Sequence, residues 1–194
     1  MKQKLLLMMF VIFAVQTIVW AETDSGYCGD TKVNEGKDVT WTLVVDILTI
    51  SGTGDMKNYS LRNVPWFDYQ KSIVEVVIEH GVKSIGNNAF RACTNLTTVT
   101  IPNSVTSLGM NAFMGGNVVN ATIDMTYIGD RYDENGEQID RNFSGSGLAN
   151  NLTNLTIGSS VTGFDLSIIR KCIYIVVDSN NSLYDSREIG RAHV

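Results

Sequence analysis

Few side chains in this 194-residue chain are suited to chemistry, and their spacing gathers none of them into a reactive set. The chain holds two histidines. His193 sits in the last two residues, which leaves His80 as the single imidazole in the body of the sequence, with no nucleophile placed to use it as a base. Asp133-Glu134-Asn135-Gly136-Glu137 has the carboxylates and glycine of a calcium loop. Arg131 stands where such a loop needs its first carboxylate, so the segment reads as a solvated loop. Of the three cysteines, Cys93 follows Phe90 by three positions and Cys172 follows Ile169 by three. Both therefore fall at the same point of a repeating unit and point inward in parallel, with two coils between them, too far apart for a disulfide. They read as buried thiols filling small slots. Cys28 has no obvious partner, and burial, a free thiol and an intermolecular bond all stay open for it. No catalytic residue, metal or cofactor is expected, and the chain reads as a non-enzyme.

What must position these residues is an internal repeat. Ile73 to Asn95 reads IVEVVIEHGVKSIGNNAFRACTN, and Leu96 to Asn117 reads LTTVTIPNSVTSLGMNAFMGGN. A shift of 23 residues lays Val76 on Val99, Ile78 on Ile101, Ile85 on Leu108, Gly86 on Gly109 and Phe90 on Phe113. A unit this short cannot bury its own apolar residues, so copies must stack and share one core. A third coil starts at Val118 and is interrupted by the polar segment 130–141, which is expected to leave as a loop from one edge. The fourth starts at Leu152, with Phe164 and Cys172 in register, and Ile173 to Asp178 opens a partial fifth.

Each coil opens on alternating apolar and polar residues, the period-two pattern of a half-buried strand. Stacking makes these strands neighbours in a parallel sheet. The residues between the inward ones then face solvent: Glu75 and Val77, Thr98 and Thr100, Asn120 and Thr122, Asn154 and Thr156. This file of Thr and Asn is the candidate ligand-facing surface, although β-propensity and solubility alone also account for it. The expected core holds Ile85, Phe90, Cys93, Leu108, Phe113, Phe164 and Cys172. Gly86 and Gly109 are expected to take a tight turn with positive φ, followed by a short helix or turn that anchors Phe90 or Phe113.

The ends read differently. Residues 1–21 carry Lys2 and Lys4, an apolar run from Leu5 to Val15, and Val19-Trp20-Ala21, the pattern of a cleaved secretory signal. Cleavage removes two of the 15 basic residues and none of the 20 acidic ones, so the balance moves from −5 to about −7. Such a surface argues against nucleic acid or anionic lipid as partner. Residues 188–194 include Ile189-Gly190-Arg191-Ala192-His193-Val194, which back-translates to a common sequencing adapter. They read as a non-native tail, with further repeats or an anchor expected beyond it. The open strand edge at that end predicts self-association.

Residues 22–72 precede the repeats. Val39 to Val45 and Ile47 to Ser51 alternate around Asp46 as a β-hairpin that would cover the first coil. Trp41, Tyr59, Trp66, Phe67 and Tyr69 suit either that capping role or an aromatic platform for sugar.

The phrase VKSIGNNAFRACTNLTTVTIPNSVTSLGMNAF resembles the BspA-type leucine-rich repeat, and Cys28-Gly29, Trp41-Thr42-Leu43, the stretch from Leu48 to Met56 and Pro65-Trp66-Phe67 resemble the segment that often precedes such repeats. The likeness covers about Cys28 to Asp185. It implies a mainly β repeat solenoid of parallel strands with short helices or turns, running over 73–187 behind the hairpin cap. It also implies an exported bacterial surface protein, without membrane insertion after signal cleavage, adhering to a host, matrix or cell-surface protein. The alternative is a carbohydrate-binding or scaffolding module of a larger surface enzyme. In a bacterial chain the Asn-x-Ser/Thr triplets at Asn58, Asn95, Asn120, Asn142, Asn151, Asn154 and Asn180 read as turn and edge residues rather than glycan sites.

Overall fold

The computed structural model describes residues 3–8, 20–132, 134–135, 138–140, 143–165, 168 and 171–185. The apolar run of the leader from residue 9, three of the five residues of the acidic loop, Asn142, Ile169 and the tail 188–194 lie outside the described residues.

Sixteen strands lie among the described residues, and those that open the coils follow the alternation seen in the sequence. The first four are β1 (Gln3–Met8), β2 (Trp20–Tyr27), β3 (Val39–Val44) and β4 (Ile47–Gly52). Then come β5 (Gly54–Asp55), β6 (Glu75–Ile78), β7 (Val82–Ile85), β8 (Thr98–Ile101), β9 (Ser107–Leu108) and β10 (Asn120–Ile123). The last six are β11 (Tyr127–Ile128), β12 (Arg131–Tyr132), β13 (Gln138–Asp140), β14 (Asn154–Ile157), β15 (Gly163–Phe164) and β16 (Tyr174–Val177).

Nine of these strands form one long sheet in the order β1-β2-β3-β4-β6-β8-β10-β14-β16. The pairs from β1 to β4 are antiparallel, and β3–β4 is the hairpin expected around Asp46. From β4 onward every neighbour is parallel. The inward residues of β6, Val76 and Ile78, are buried, and Val99 and Ile101, Ala121 and Ile123, and Leu155 and Ile157 repeat that placement. The hairpin does more than cap, because β4 is itself the first parallel rung, with Leu48 and Ile50 buried in line with Val76 and Ile78. The solenoid ladder therefore begins upstream of the doubled phrase.

After its first strand each coil passes through a short second strand. These pair as β5-β7-β9 and, separately, β11-β15. The turns that follow make a third ladder, in which the Asn88 amide donates to the Met110 carbonyl at 3.0 Å, the Phe90 amide to Ala112 at 2.7 Å and the Phe113 amide to Ser146 at 2.8 Å. Among the described residues Ile168 is in α-helical conformation, and the turns include single 3-10 turns. Their rings stack into a column along the core: Trp66 lies on Phe90 with centroids 5.5 Å apart and planes 18° apart, and Phe90 lies 5.3 Å from Phe113. Trp66 also donates its indole N–H to the Ala89 carbonyl at 2.9 Å. Tyr59 packs edge-on against Trp66, and its hydroxyl reaches the Cys28 carbonyl.

Two expectations change. Gly86 and Gly109 are not in the positive-φ region; Asn88 (φ 56°) and Asn111 (φ 57°) take that conformation. Asn tolerates it better than most side chains. The glycines are needed because adjacent coils touch there: a methyl on Gly86 would collide with the Lys57 carbonyl, and one on Gly109 with the Gly86–Asn87 backbone. Phe164 is only half-buried, packed against the core with its ring 4.8 Å from that of Tyr184. Ile85, Phe90, Cys93, Leu108, Phe113 and Cys172 are buried.

The interruption of the third coil leaves as an antiparallel pair, β12–β13. Its base is fixed by Asp130, a buried carboxylate whose Oδ1 accepts the Phe143 amide at 3.1 Å. The chain thus rejoins the core at the point where Phe143 is buried.

Candidate interaction face

The outer face of the long sheet is built by register. Glu75, Thr98, Asn120 and Asn154 are mutual neighbours along one file, and Val77, Thr100, Thr122 and Thr156 along the next. All eight candidate residues therefore lie on one side of one sheet. Rungs stand about 4.8 Å apart, and residues i and i+2 of a strand about 6.6 Å apart, so the files form a regular array. Thr122 is exposed and the other seven are half-buried by their neighbours. The Asn154 side-chain amide donates to Asn120 Oδ1 at 2.6 Å, which locks the two rungs on either side of the interruption. Glu75 supplies the single formal charge among the eight.

The same register extends the files to residues that the repeat alone did not expose. Ile47 and Thr49 continue them upstream, and Thr42 follows across the hairpin. Tyr174 and Val176 continue them downstream and are 69% and 56% exposed. The face therefore runs from an aliphatic end through a Thr/Asn middle to an aromatic end. The signal in the sequence was the spacing of Ile47-Leu48-Thr49-Ile50, which matches Thr98-Val99-Thr100-Ile101.

The aromatic residues upstream of the repeats do not form a platform. Trp41, Tyr59 and Trp66 are buried in the core, and Phe67 is the one markedly exposed ring of the five. The three thiols are free and buried. Desolvation pushes Cys93 up to about 12 and Cys172 to about 11, and pushes Cys28 up as well. A thiol so raised is a poor nucleophile near neutral pH. His80 is exposed just past the end of β6. Among the described residues no three His, Cys, Asp or Glu side chains converge where a metal ion could sit.

Several asparagines serve the coil edges. Asn58 Oδ1 accepts the Asn87 amide, Asn87 Oδ1 accepts the Met110 amide, and Asn95 donates to the Lys71 carbonyl. The triplets at Asn58, Asn95 and Asn154 thus hold neighbouring coils together. Among the described residues no helix is long and apolar enough to cross a membrane.

A family model for the BspA type leucine rich repeat region matches residues 65–176 in 6 copies. No curated protein matches the chain. Among solved structures the chain is similar to a leucine-rich repeat protein from Eubacterium ventriosum ATCC 27560, at 26% identity and a TM-score of 0.46. That alignment covers 84% of this chain and 46% of the other, so the chain spans less than half the length of that protein.

Proposed function

The chain belongs to the BspA-type leucine-rich repeat family, and on that premise we propose that it is an exported bacterial surface protein that adheres through the outer face of its long sheet. Repeats of this family serve as protein-interaction modules and are generally non-catalytic. The partner in this reading is a protein on a host, a matrix or another cell. One observation carries it: six parallel rungs hold their outward side chains in unbroken register from Ile47 to Val176. A flat array with little charge at its centre and Tyr174 at its end has the composition of a protein contact, where charge is depleted and tyrosine enriched. Export is supported by the basic residues and apolar run of 1–21, whose cleavage removes the edge strand β1 and leaves β2 from Glu22 at that edge of the sheet. The carbohydrate reading has less support, since three of its five aromatic rings are buried.

The test is binding of the full secreted chain to a panel of matrix proteins and to a glycan array. Thr100→Arg with Thr122→Arg places two long cations in the middle of the face while leaving the core untouched. The expected result is saturable binding to a protein that these substitutions weaken at least tenfold. Unchanged binding by the double variant refutes this face, and binding to glycans alone refutes the protein partner.

A further inference from the structure

A second concave surface lies on another side of the solenoid. It follows β5, β7 and β9 and the turns after them as an open groove of about 720 Å³, and extends from Asp30 and Asp55 to Met110, Met114 and Gly145. Those residues belong to four successive coils, a span of about 14 Å at parallel-strand spacing. The volume is that of a ligand-sized pocket, about 300–1,000 Å³.

The two ends differ in chemistry. At one end the Asp30 amide donates to the Asp55 carbonyl at 2.8 Å, which brings two acidic residues from separate segments together, and both line the groove. Ser84 Oγ donates to Asp55 Oδ1 at 2.7 Å, and the Lys32 amide to Asp30 Oδ1 at 3.0 Å, so both are held in place. Among the described residues no Lys, Arg or His lines the groove to neutralise them. At the other end Met110 is 66% exposed and Met114 39%. Exposed methionines offer an apolar contact that reshapes to its partner. Between the ends the lining is Ser and Asn with aliphatic side chains, and among the described residues it contains no aromatic ring.

We infer that this groove docks an extended polypeptide segment carrying Lys or Arg at one point and an aliphatic or aromatic side chain a few residues away. The cation meets Asp30 and Asp55, and the apolar side chain rests on Met110 and Met114. At about 3.3 Å per residue the groove takes four or five residues, which puts the two anchors three or four positions apart. The charge of the whole chain, −5, draws the same kind of partner. A nucleic acid or an anionic lipid surface would meet the carboxylates instead, and a sugar would find no ring to stack on. The site is independent of the long sheet's outer face.

The experiment selects random decapeptides displayed on phage against the full secreted chain and measures the enriched peptides by fluorescence polarisation. The expected outcome is enrichment of Lys or Arg three or four positions from Leu, Ile, Phe or Met. Asp30→Asn with Asp55→Asn keeps an Oδ1 acceptor for Ser84 Oγ and the Lys32 amide while removing both charges, and should weaken binding about tenfold. Met110→Ser with Met114→Ser should weaken it comparably, whereas Thr100→Arg with Thr122→Arg should leave it unchanged. An unaltered thermal transition in each variant shows that the fold persists. No enrichment, enrichment of acidic or uncharged peptides, or undiminished binding to the Asp30→Asn, Asp55→Asn variant each overturns the inference.

Discussion

Phe90→Ala tests the stacking of the coils most directly. Phe90 is fully buried, with Trp66 at 5.5 Å on one side and Phe113 at 5.3 Å on the other. Truncating a buried Phe costs about 3–5 kcal/mol through lost transfer energy and the cavity left behind. The loss should fall at the upper end, because each ring contact adds about 0.5–1.5 kcal/mol beyond area. The surroundings also cannot collapse easily: Ala89, Ala112 and Cys93 around the site are short and already packed in the core. In a stack stabilised by nearest-neighbour contacts, the damage falls on the seam between the first coils. Urea unfolding followed by far-UV circular dichroism reads it. With a slope of about 2 kcal/mol/M, a loss of about 4 kcal/mol moves the midpoint down by about 2 M. Phe164→Ala is the internal control, since that ring is half-buried and has Tyr184 as its ring partner. A Phe90→Ala loss below about 1.5 kcal/mol, or one no larger than that of Phe164→Ala, would refute the aromatic column as the spine of the solenoid.

The close approach of adjacent coils predicts that Gly86→Ala and Gly109→Ala each lower the melting temperature well beyond a surface substitution. Gly145→Ala has nothing within 4 Å of the new methyl and should stay within about 0.5 kcal/mol of the parent; equal effects at the three sites would contradict the packing argument. Stability should also fall in alkali. The unfolded Cys93 thiol ionises near 9.0 and the folded one only near 12, so above pH 9 the unfolded chain holds fewer protons and gains relative to the native state. The stability present below pH 9 is then lost towards about pH 12, by up to about 1.4 kcal/mol per pH unit for this one group. Tyr59, whose pKa burial also raises, adds loss of the same sign above pH 10. Urea midpoints at pH 8 and 10.5 should show the drop, with a shallower one for Cys93→Ala; identical slopes would mean that the thiol is ionisable in the folded chain.

The architecture was legible because two copies of one phrase kept every inward position. Val76 and Val99, or Phe90 and Phe113, declare their equivalence without any structure. The rung at β4 was harder to see, because twenty-eight residues separate Ile47 from its partner Glu75 and Trp66 replaces the Phe of later coils. Its burial pattern was present, but the antiparallel partner β3 made the same residues read as a hairpin and nothing more. The role of Gly86 is not legible in sequence for a physical reason. Sequence marks where a side chain is absent, but it does not say whether the backbone angle or a neighbouring coil forbids one. The candidate face followed from strand alternation, whereas the groove did not: Asp30 and Asp55 meet through a bridge between distant segments that no local pattern announces.

The variation in coil length bears on which side of the solenoid does the work. Successive register partners along the long sheet lie between twenty and thirty-four residues apart in the chain, yet the register never slips. The second ladder behaves otherwise. It is continuous through β5, β7 and β9, breaks between β9 and β11, and resumes as the β11–β15 pair. The break coincides with the coil that carries the inserted pair β12–β13. A solenoid can expel an insertion from any side, but one in the long sheet would shift the inward and outward sets of a strand and expose core. Here the irregularity is confined to the second strands and turns, and Asp130 and the Asn120–Asn154 bond restore alignment on either side of it. The outer face is therefore insulated from changes in coil length, while the groove beside β9 lies where such changes are admitted. This division suits a long, constant contact surface on one side and a smaller docking site on the other, shaped by turns and insertions.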